Sequence, residues 1–217
     1  MENKFYEKEE VEMGTTTMNI VTTVVPFFSG WSFWYLDRMN LRGADSYETS
    51  IKNIGSFSSV HEFWAIYNHL VRPSHLSLSS DLHLFRRGVK PMWEDEANRK
   101  GGKFVLRVRK GFSSKLWEDL ILAVVGEQFQ VGDEICGILI SVRLHEDIIS
   151  LWIKSAASLE TRLRISDGLK RVLRIPVEVN LDFKVHYDVP STTPTTHGVH
   201  HRSNHFHNNN LNHNNNE

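Results

Sequence analysis

An α+β fold built on a mostly antiparallel sheet follows from three observations. Three separated stretches carry apolar residues at helical spacing, several short runs are rich in β-branched and aromatic residues, and the two signals alternate along the chain. Met18 to Leu36 is the most apolar stretch near the N-terminus, with Ile20, Val21, Val24, Val25, Phe27, Phe28, Trp31, Phe33 and Trp34, and predicts a first strand. It is not expected to act as a secretory signal, because Glu2, Glu7, Glu9, Glu10 and Glu12 precede it where such a signal is positive. Thr22, Thr23, Pro26, Ser29 and Gly30 interrupt a run that would need about 20 mostly apolar residues to cross a bilayer. Ser59 and Glu62 make a capping-box pattern, and Val60, Phe63, Trp64, Tyr67 and Leu70 recur at helical spacing, predicting a helix from Val60 to Leu70. A second helix is predicted from Lys115 to Gly126, with Leu116, Trp117, Leu120, Ile121 and Val124 inward and Gly126 ending it. A third runs from Leu159 to Leu173 and stops before Ile175-Pro176. Phe104 to Arg109, and Ile135 to Leu144 with Ile148 to Lys154 around His145-Glu146-Asp147, read as strands. With Phe33 to Leu36, Leu82 to Phe85 and Val177 to Val185 they form the sheet, and the helices cover one of its faces.

The chain has 217 residues, 40% hydrophobic and 24% charged, enough for one sizeable core. A formal net charge of -1 gives no overall basic field for gathering long nucleic acid, so any RNA contact should be local. The single cysteine, Cys136, excludes an internal disulfide framework and fits a reducing compartment such as the cytoplasm; among Ile135, Gly137 and Ile138 it reads as a buried strand thiol. Residues 1–17 read as a disordered acidic arm, residues 18–189 as the folded domain, and residues 190–217 as a disordered Asn/His-rich tail. The histidines of that tail, from His197 to His213, lack the Cys or carboxylate partners of a defined metal shell, so neither metal nor cofactor is expected.

Trp93 followed at once by Glu94, after Lys90-Pro91-Met92, joins a stacking surface to a hydrogen-bond acceptor. An indole can hold a nucleobase by its face, while a neighbouring carboxylate accepts two hydrogens from the edge of guanine. Pro91 disfavours helix at Lys90, so a loop should present both side chains. The competing reading is a core tryptophan with a solvated acidic rim.

Further motifs decide between these readings. They are Ser46-Tyr47-Glu48, Glu62-Phe63-Trp64-Ala65, Gly101-Gly102-Lys103, Gly126-Glu127-Gln128-Phe129, Cys136-Gly137 with Ser141-Val142-Arg143, and Leu151-Trp152. In this order and spacing, from about Trp31 to about Tyr187, the chain resembles the eukaryotic translation initiation factor 4E family of mRNA cap-binding proteins. It looks most like the class II branch, the 4E homologous and novel cap-binding proteins, which has Tyr where the main branch has its first stacking Trp. The resemblance implies a curved, mostly antiparallel eight-stranded sheet, three helices on its convex face and a cap-binding slot on its concave side. It implies that Tyr47 and Trp93 sandwich 7-methylguanine, that Glu94 accepts from its N1 and N2 hydrogens, that Trp152 touches the methyl group, and that Arg143 and Lys103 hold the phosphates. Read without it, Trp152 could be core, and Arg143 and Lys103 could be solvated strand-end charges. Ile148 stands where the main branch has a phosphate-binding Lys, which thins the clamp, and Phe104 stands where the family usually has Trp.

The resemblance also implies a partner surface on the far side, where Val60, Trp64 and Leu122 form an apolar strip with Asp119 at its margin. Initiation scaffolds and 4E-binding proteins dock there through a Tyr, four spacer residues, a Leu and another apolar residue. Helical spacing alone would favour Trp64 as a core residue. Val25-Pro26-Phe27 departs from the family's His-Pro-Leu segment. The expected function is binding of the 5′ cap in translation initiation or its regulation, by a cytoplasmic protein that is monomeric outside its complexes and has no membrane contact. A protein-interaction module with weakened cap affinity is the second reading. An enzyme such as a cap hydrolase has no metal cluster, no activated nucleophile and no complete phosphate loop in the sequence to support it.

Overall fold

The computed structural model describes residues 6–13, 16–40, 47–179 and 181–186. Its strands are β1 (Tyr6–Met13), β2 (Thr16–Thr23), β3 (Pro26–Asp37), β4 (Lys52–Ser59), β5 (Ser80–Arg86), β6 (Gly102–Arg109), β7 (Ile135–Val142), β8 (Glu146–Ile153) and β9 (Asp182–Val185). The helices are α1 (Tyr47–Ser50), α2 (Val60–Tyr67), α3 (Glu96–Arg99), α4 (Ser113–Val125) and α5 (Leu159–Leu173). Seven strands pair antiparallel in the order β4-β3-β5-β7-β8-β6-β9, and β1 pairs with β2 in a separate hairpin.

Period-2 alternation gives the sheet two different faces. Leu82 and Leu84 of β5, Ile138 and Ile140 of β7, Ile149, Leu151 and Ile153 of β8, and Phe104 and Val108 of β6 join one buried core. That core includes Phe63 and Tyr67 of α2, Trp117, Leu120, Ile121 and Val124 of α4, and Ile165, Leu169 and Leu173 of α5. The intervening residues His83, Leu139, Ser141, Ile148, Ser150, Trp152, Lys103, Val105 and Arg107 line a cavity on the opposite face. A one-residue slip of any central strand would exchange the two sets, so burial of the first fixes the second.

The helical signals land close to their expected places. Ser59 caps α2 reciprocally with Glu62, whose carboxylate accepts from the Ser58 and Ser59 amides while the Ser59 hydroxyl accepts from the Glu62 amide. The helix is shorter than the predicted Val60 to Leu70, because residues 68–70 continue as turns. Helix α5 begins at Leu159 behind the Ser158 cap and ends at Arg174 in a left-handed conformation, φ 53°.

Several expectations are corrected. Among the described residues the main sheet has seven strands, not eight, and there are five helices, of which α1 and α3 are single turns. Strand β4 went unpredicted because it is an edge strand of mixed Lys, Asn, Gly and Ser, of whose eight residues only Phe57 and Ser59 are buried. The last strand covers only Asp182 to Val185 of the predicted Val177 to Val185. Residues 6–13, within the arm read as disordered, pair with the Thr-, Val- and Ile-containing 16–23, whose composition favours extended backbone. No helix of the described residues is long and apolar enough to cross a membrane.

Gly137 lets Phe85 cross the sheet: a Cβ there would lie 2.4 Å from the Phe85 ring and 2.7 Å from the Leu84 carbonyl oxygen. Phe85 in turn meets Trp152 edge-on at 5.4 Å, so Gly137 sets the height of the cavity floor. Gly137→Ala is therefore expected to destabilise the protein by about 1–3 kcal/mol, the usual cost of overpacking. Reversible thermal or denaturant unfolding with unchanged secondary-structure content checks this.

Candidate functional site

The cavity on the open face encloses about 510 Å³ and is lined by all six residues expected to take a cap: Tyr47, Trp93, Glu94, Lys103, Arg143 and Trp152. They come from α1, the loop before α3, β6, the end of β7 and β8, so only the folded sheet brings them together.

Trp93 and Glu94 sit on a turn that is built from its own neighbours. Asn98 of α3, fully buried, donates from Nδ2 to the Lys90 and Met92 carbonyls, each at 2.8 Å. Asp95 caps α3 by accepting from the Ala97 amide at 2.9 Å, and its other oxygen accepts from the Lys90 amide at 3.0 Å. The Tyr47 hydroxyl donates to the Pro91 carbonyl at 3.0 Å, tying the first aromatic residue to the loop carrying the second. Burial, then the negative charge of Asp81, raises the Tyr47 pKa, so the phenol stays protonated. The Arg38 guanidinium lies 5.8 Å from the Tyr47 ring centroid. Trp93 is 45% exposed, which excludes the core-anchor reading, and Glu94 is exposed beside it.

Trp152 is 5% exposed and belongs to both descriptions offered by the sequence: it packs against Phe85 in a small cluster with Cys136 and Leu139, and it also lines the cavity. The Lys103 ammonium lies 5.3 Å from its ring centroid, and the His186 ring 4.2 Å away. Burial pushes the Cys136 thiol up to about 12, so it is an inert packing group, as expected of a strand cysteine.

Several cations line the cavity. Arg143 and Arg38 both grip the buried carboxylate of Asp81, through Nη2 to Oδ1 at 2.7 Å and Nε to Oδ2 at 2.7 Å. Arg143 also donates to the Val142 carbonyl at 2.9 Å. Both guanidiniums are thus held in place while remaining 30% and 42% exposed to the slot. Burial, with the neighbouring Lys184 and Arg38 charges, lowers the Lys103 pKa. An anion arriving there would relieve that crowding.

Sequence reasoning missed Arg38, Asp81, Asn98, Arg107, Lys184 and His186. Arg107 matters most for the clamp: it is the cross-strand neighbour of Ile148, lines the same cavity and pairs with Glu146. An arginine therefore stands one strand away from Ile148. Strand pairing carries that signal, and the linear sequence does not.

On the helical side, Trp64 is 40% exposed while its ring meets Phe63 at 4.9 Å and Tyr67 at 5.8 Å. It is therefore a supported surface residue and not core. Tyr67 donates to Glu118 at 3.0 Å, and Arg72 joins both, which links α2 to α4. Val60 is half-buried and Leu122 is 38% exposed; Asp119 pairs with Lys115. Val25, in the departing segment, accepts from the Val60 amide at 2.9 Å, and Phe27 packs on Phe57 and Phe63.

Residues 26–199 match the model of the family Eukaryotic initiation factor 4E. The chain belongs to that family. It is 44% identical over 153 residues to the wheat (Triticum aestivum) eukaryotic translation initiation factor NCBP, covering 70% of this chain and 66% of that protein. It is 44% identical over 144 residues to Caenorhabditis elegans translation initiation factor 4E-4, covering 66% of this chain and 68% of that protein. The matches thus span about two thirds of these relatives, and they place the chain with the novel cap-binding branch. Among solved structures it is similar to C. elegans eIF4E-3 in complex with the 4E-binding protein Mextli and a cap analogue, with TM-score 0.71, 38% identity, and 76% of this chain and 94% of that one covered. Ascaris suum eIF4E-3 in complex with an m2,2,7G cap gives TM-score 0.71 at 36% identity, covering 76% of this chain and 93% of that one.

Asn98→Ala removes two hydrogen bonds from a fully buried side chain, and loop 90–95 should loosen more than the sheet. Amide hydrogen exchange is expected to accelerate at Met92 and Asp95, whose amides donate within this turn, with little change at β7. Equal acceleration throughout would mean global destabilisation instead.

Proposed function

We propose that this chain binds the 7-methylguanosine 5′ cap of mRNA and takes part in translation initiation or its regulation through partner proteins. The observation that carries this reading is that one slot is lined by Tyr47, Trp93, Trp152 and Glu94 together with the cations Lys103, Arg107, Arg143 and Lys184. A methylated guanine is a cation with donors on its edge, and its triphosphate is a compact anion; the slot supplies rings and a carboxylate for the first and cations for the second. Tyr47 and Trp93 take the two faces of the base, Glu94 accepts from N1 and N2, and Trp152 lies under the methyl group. Lys103 and Arg143 hold the phosphates, and Arg107 supplies the cation that Ile148 does not.

Each base–aromatic stack contributes about 1–3 kcal/mol and each charge-assisted hydrogen bond about 1.5–3 kcal/mol. After the cost of immobilising the ligand, these terms support roughly micromolar binding. Tyr47 offers less π surface than Trp, which places the affinity below that of the main branch. Binding, not turnover, is the chemistry. The active unit is residues 18–189, working in the cytoplasm, with Val60, Trp64, Leu122 and Asp119 receiving a helix that carries the Tyr-x4-Leu-apolar pattern. The second reading, an interaction module with weakened cap affinity, draws on the hydrophobic Ile148 at the phosphate end.

Retention on cap-analogue resin, elution by free cap and no release of nucleotide is the expected behaviour. Glu94→Ala is expected to lose more cap affinity than Lys103→Ala in fluorescence titration, because Glu94 is the one carboxylate pairing the cationic base, whereas Arg107 and Arg143 remain to hold the phosphates when Lys103 is lost. Equal losses would overturn the assigned roles. Trp64→Ala is expected to leave cap binding nearly intact and to weaken a Tyr-x4-Leu-apolar peptide by about 2 kcal/mol, roughly thirtyfold. Calorimetry on the folded variant checks it, and joint loss of cap and peptide would contradict the two-faced arrangement.

A further inference from the structure

Beyond the mouth of the slot, β6 carries on. Lys103, Val105 and Arg107 line the cavity, and Arg109 is the next residue on the same face, about 6.7 Å further along. Its cross-strand partner is Glu146, yet Glu146 pairs with Arg107. Among the described residues no carboxylate pairs with Arg109; its guanidinium lies 5.6 Å from the centroid of the Phe112 ring. Phe112 is 55% exposed. It also occupies the N-cap of α4 without any side-chain cap hydrogen bond, a position where Ser, Thr, Asp or Asn would stabilise the helix and Phe does not. An aromatic residue that breaks the local rule and faces solvent beside an uncommitted arginine is a pattern expected of a binding site.

We propose that Arg109 and Phe112 form a subsite for the first transcribed nucleotide, the one joined to the cap through the triphosphate. Arg109 extends the row of phosphate-binding cations by one step, and Phe112 offers its face to the base. Two features select RNA as the occupant: continuity along β6 with Arg107 of the slot, and the alternation of cations and an exposed ring that suits a single-stranded backbone. The assignment rests on the cap-binding reading of the slot.

The test compares 7-methylguanosine triphosphate with the same cap joined to a short oligoribonucleotide, titrated into the full chain and into Phe112→Ala, Phe112→Trp and Arg109→Gln. The wild-type protein is expected to bind the capped oligonucleotide about fivefold or more tightly than the bare cap, the effect of one added stack. Phe112→Ala and Arg109→Gln should lose that gain with bare-cap affinity unchanged, and Phe112→Trp should keep it. No gain in the wild type, or a gain that survives both losses, would overturn the subsite while leaving the cap slot intact. Absence of binding to either ligand would overturn the cap-binding reading itself.

Discussion

The two-faced antiparallel sheet is the constraint on which the rest of the molecule depends. Residues at one parity in β5, β6, β7 and β8 are buried against α2, α4 and α5, and that burial leaves no freedom in where the other parity points. The cavity is therefore a by-product of core packing with side chains chosen to exploit it. Leu139, Ser141 and Ser150 keep the floor low, and Trp152 lies on Phe85, which occupies the space that Gly137 leaves open. The same geometry puts Trp64 on the helical layer, apart from the residues that line the cavity.

Two buried polar groups convert that scaffold into a recognition site. Asp81 holds Arg38 and Arg143 by a single carboxylate, and Asn98 holds the carbonyls on either side of Pro91. Neither needs to touch a ligand. Each fixes groups that the proposed function assigns to the ligand, and in that reading reduces the ordering that binding must otherwise supply. His83 contributes differently: burial lowers its pKa to about 4, so this part of the floor beneath the slot is neutral at physiological pH.

Much of the site was legible in the chain because its key side chains come in short, dense signals. Pro91 before Trp93-Glu94 marked a presenting loop. The helices were legible for a similar reason: the capping box at Ser59 and Glu62, and Ile175-Pro176 after the run that ends at Leu173, are local features. What escaped was what depends on pairing. Strand β4 carries little apolar alternation and is recognisable only once β3 supplies its partner. Arg107 is not distinguished in the linear sequence, and only the register sets it beside Ile148. Asp81 and Asn98 are polar residues in unremarkable sequence whose burial, and hence whose importance, is a property of the assembled fold.

The central claim is that the slot recognises a cationic methylated guanine and not simply a nucleoside triphosphate. Titration of the intact chain with 7-methylguanosine triphosphate and with unmethylated GTP, read by tryptophan fluorescence, separates these most directly, since both ligands carry the same phosphates. The methylated ligand is expected to bind at least tenfold more tightly, about 1.4 kcal/mol, from stacking between Tyr47 and Trp93 and pairing with Glu94. Equal affinities, or quenching by neither ligand, would contradict it.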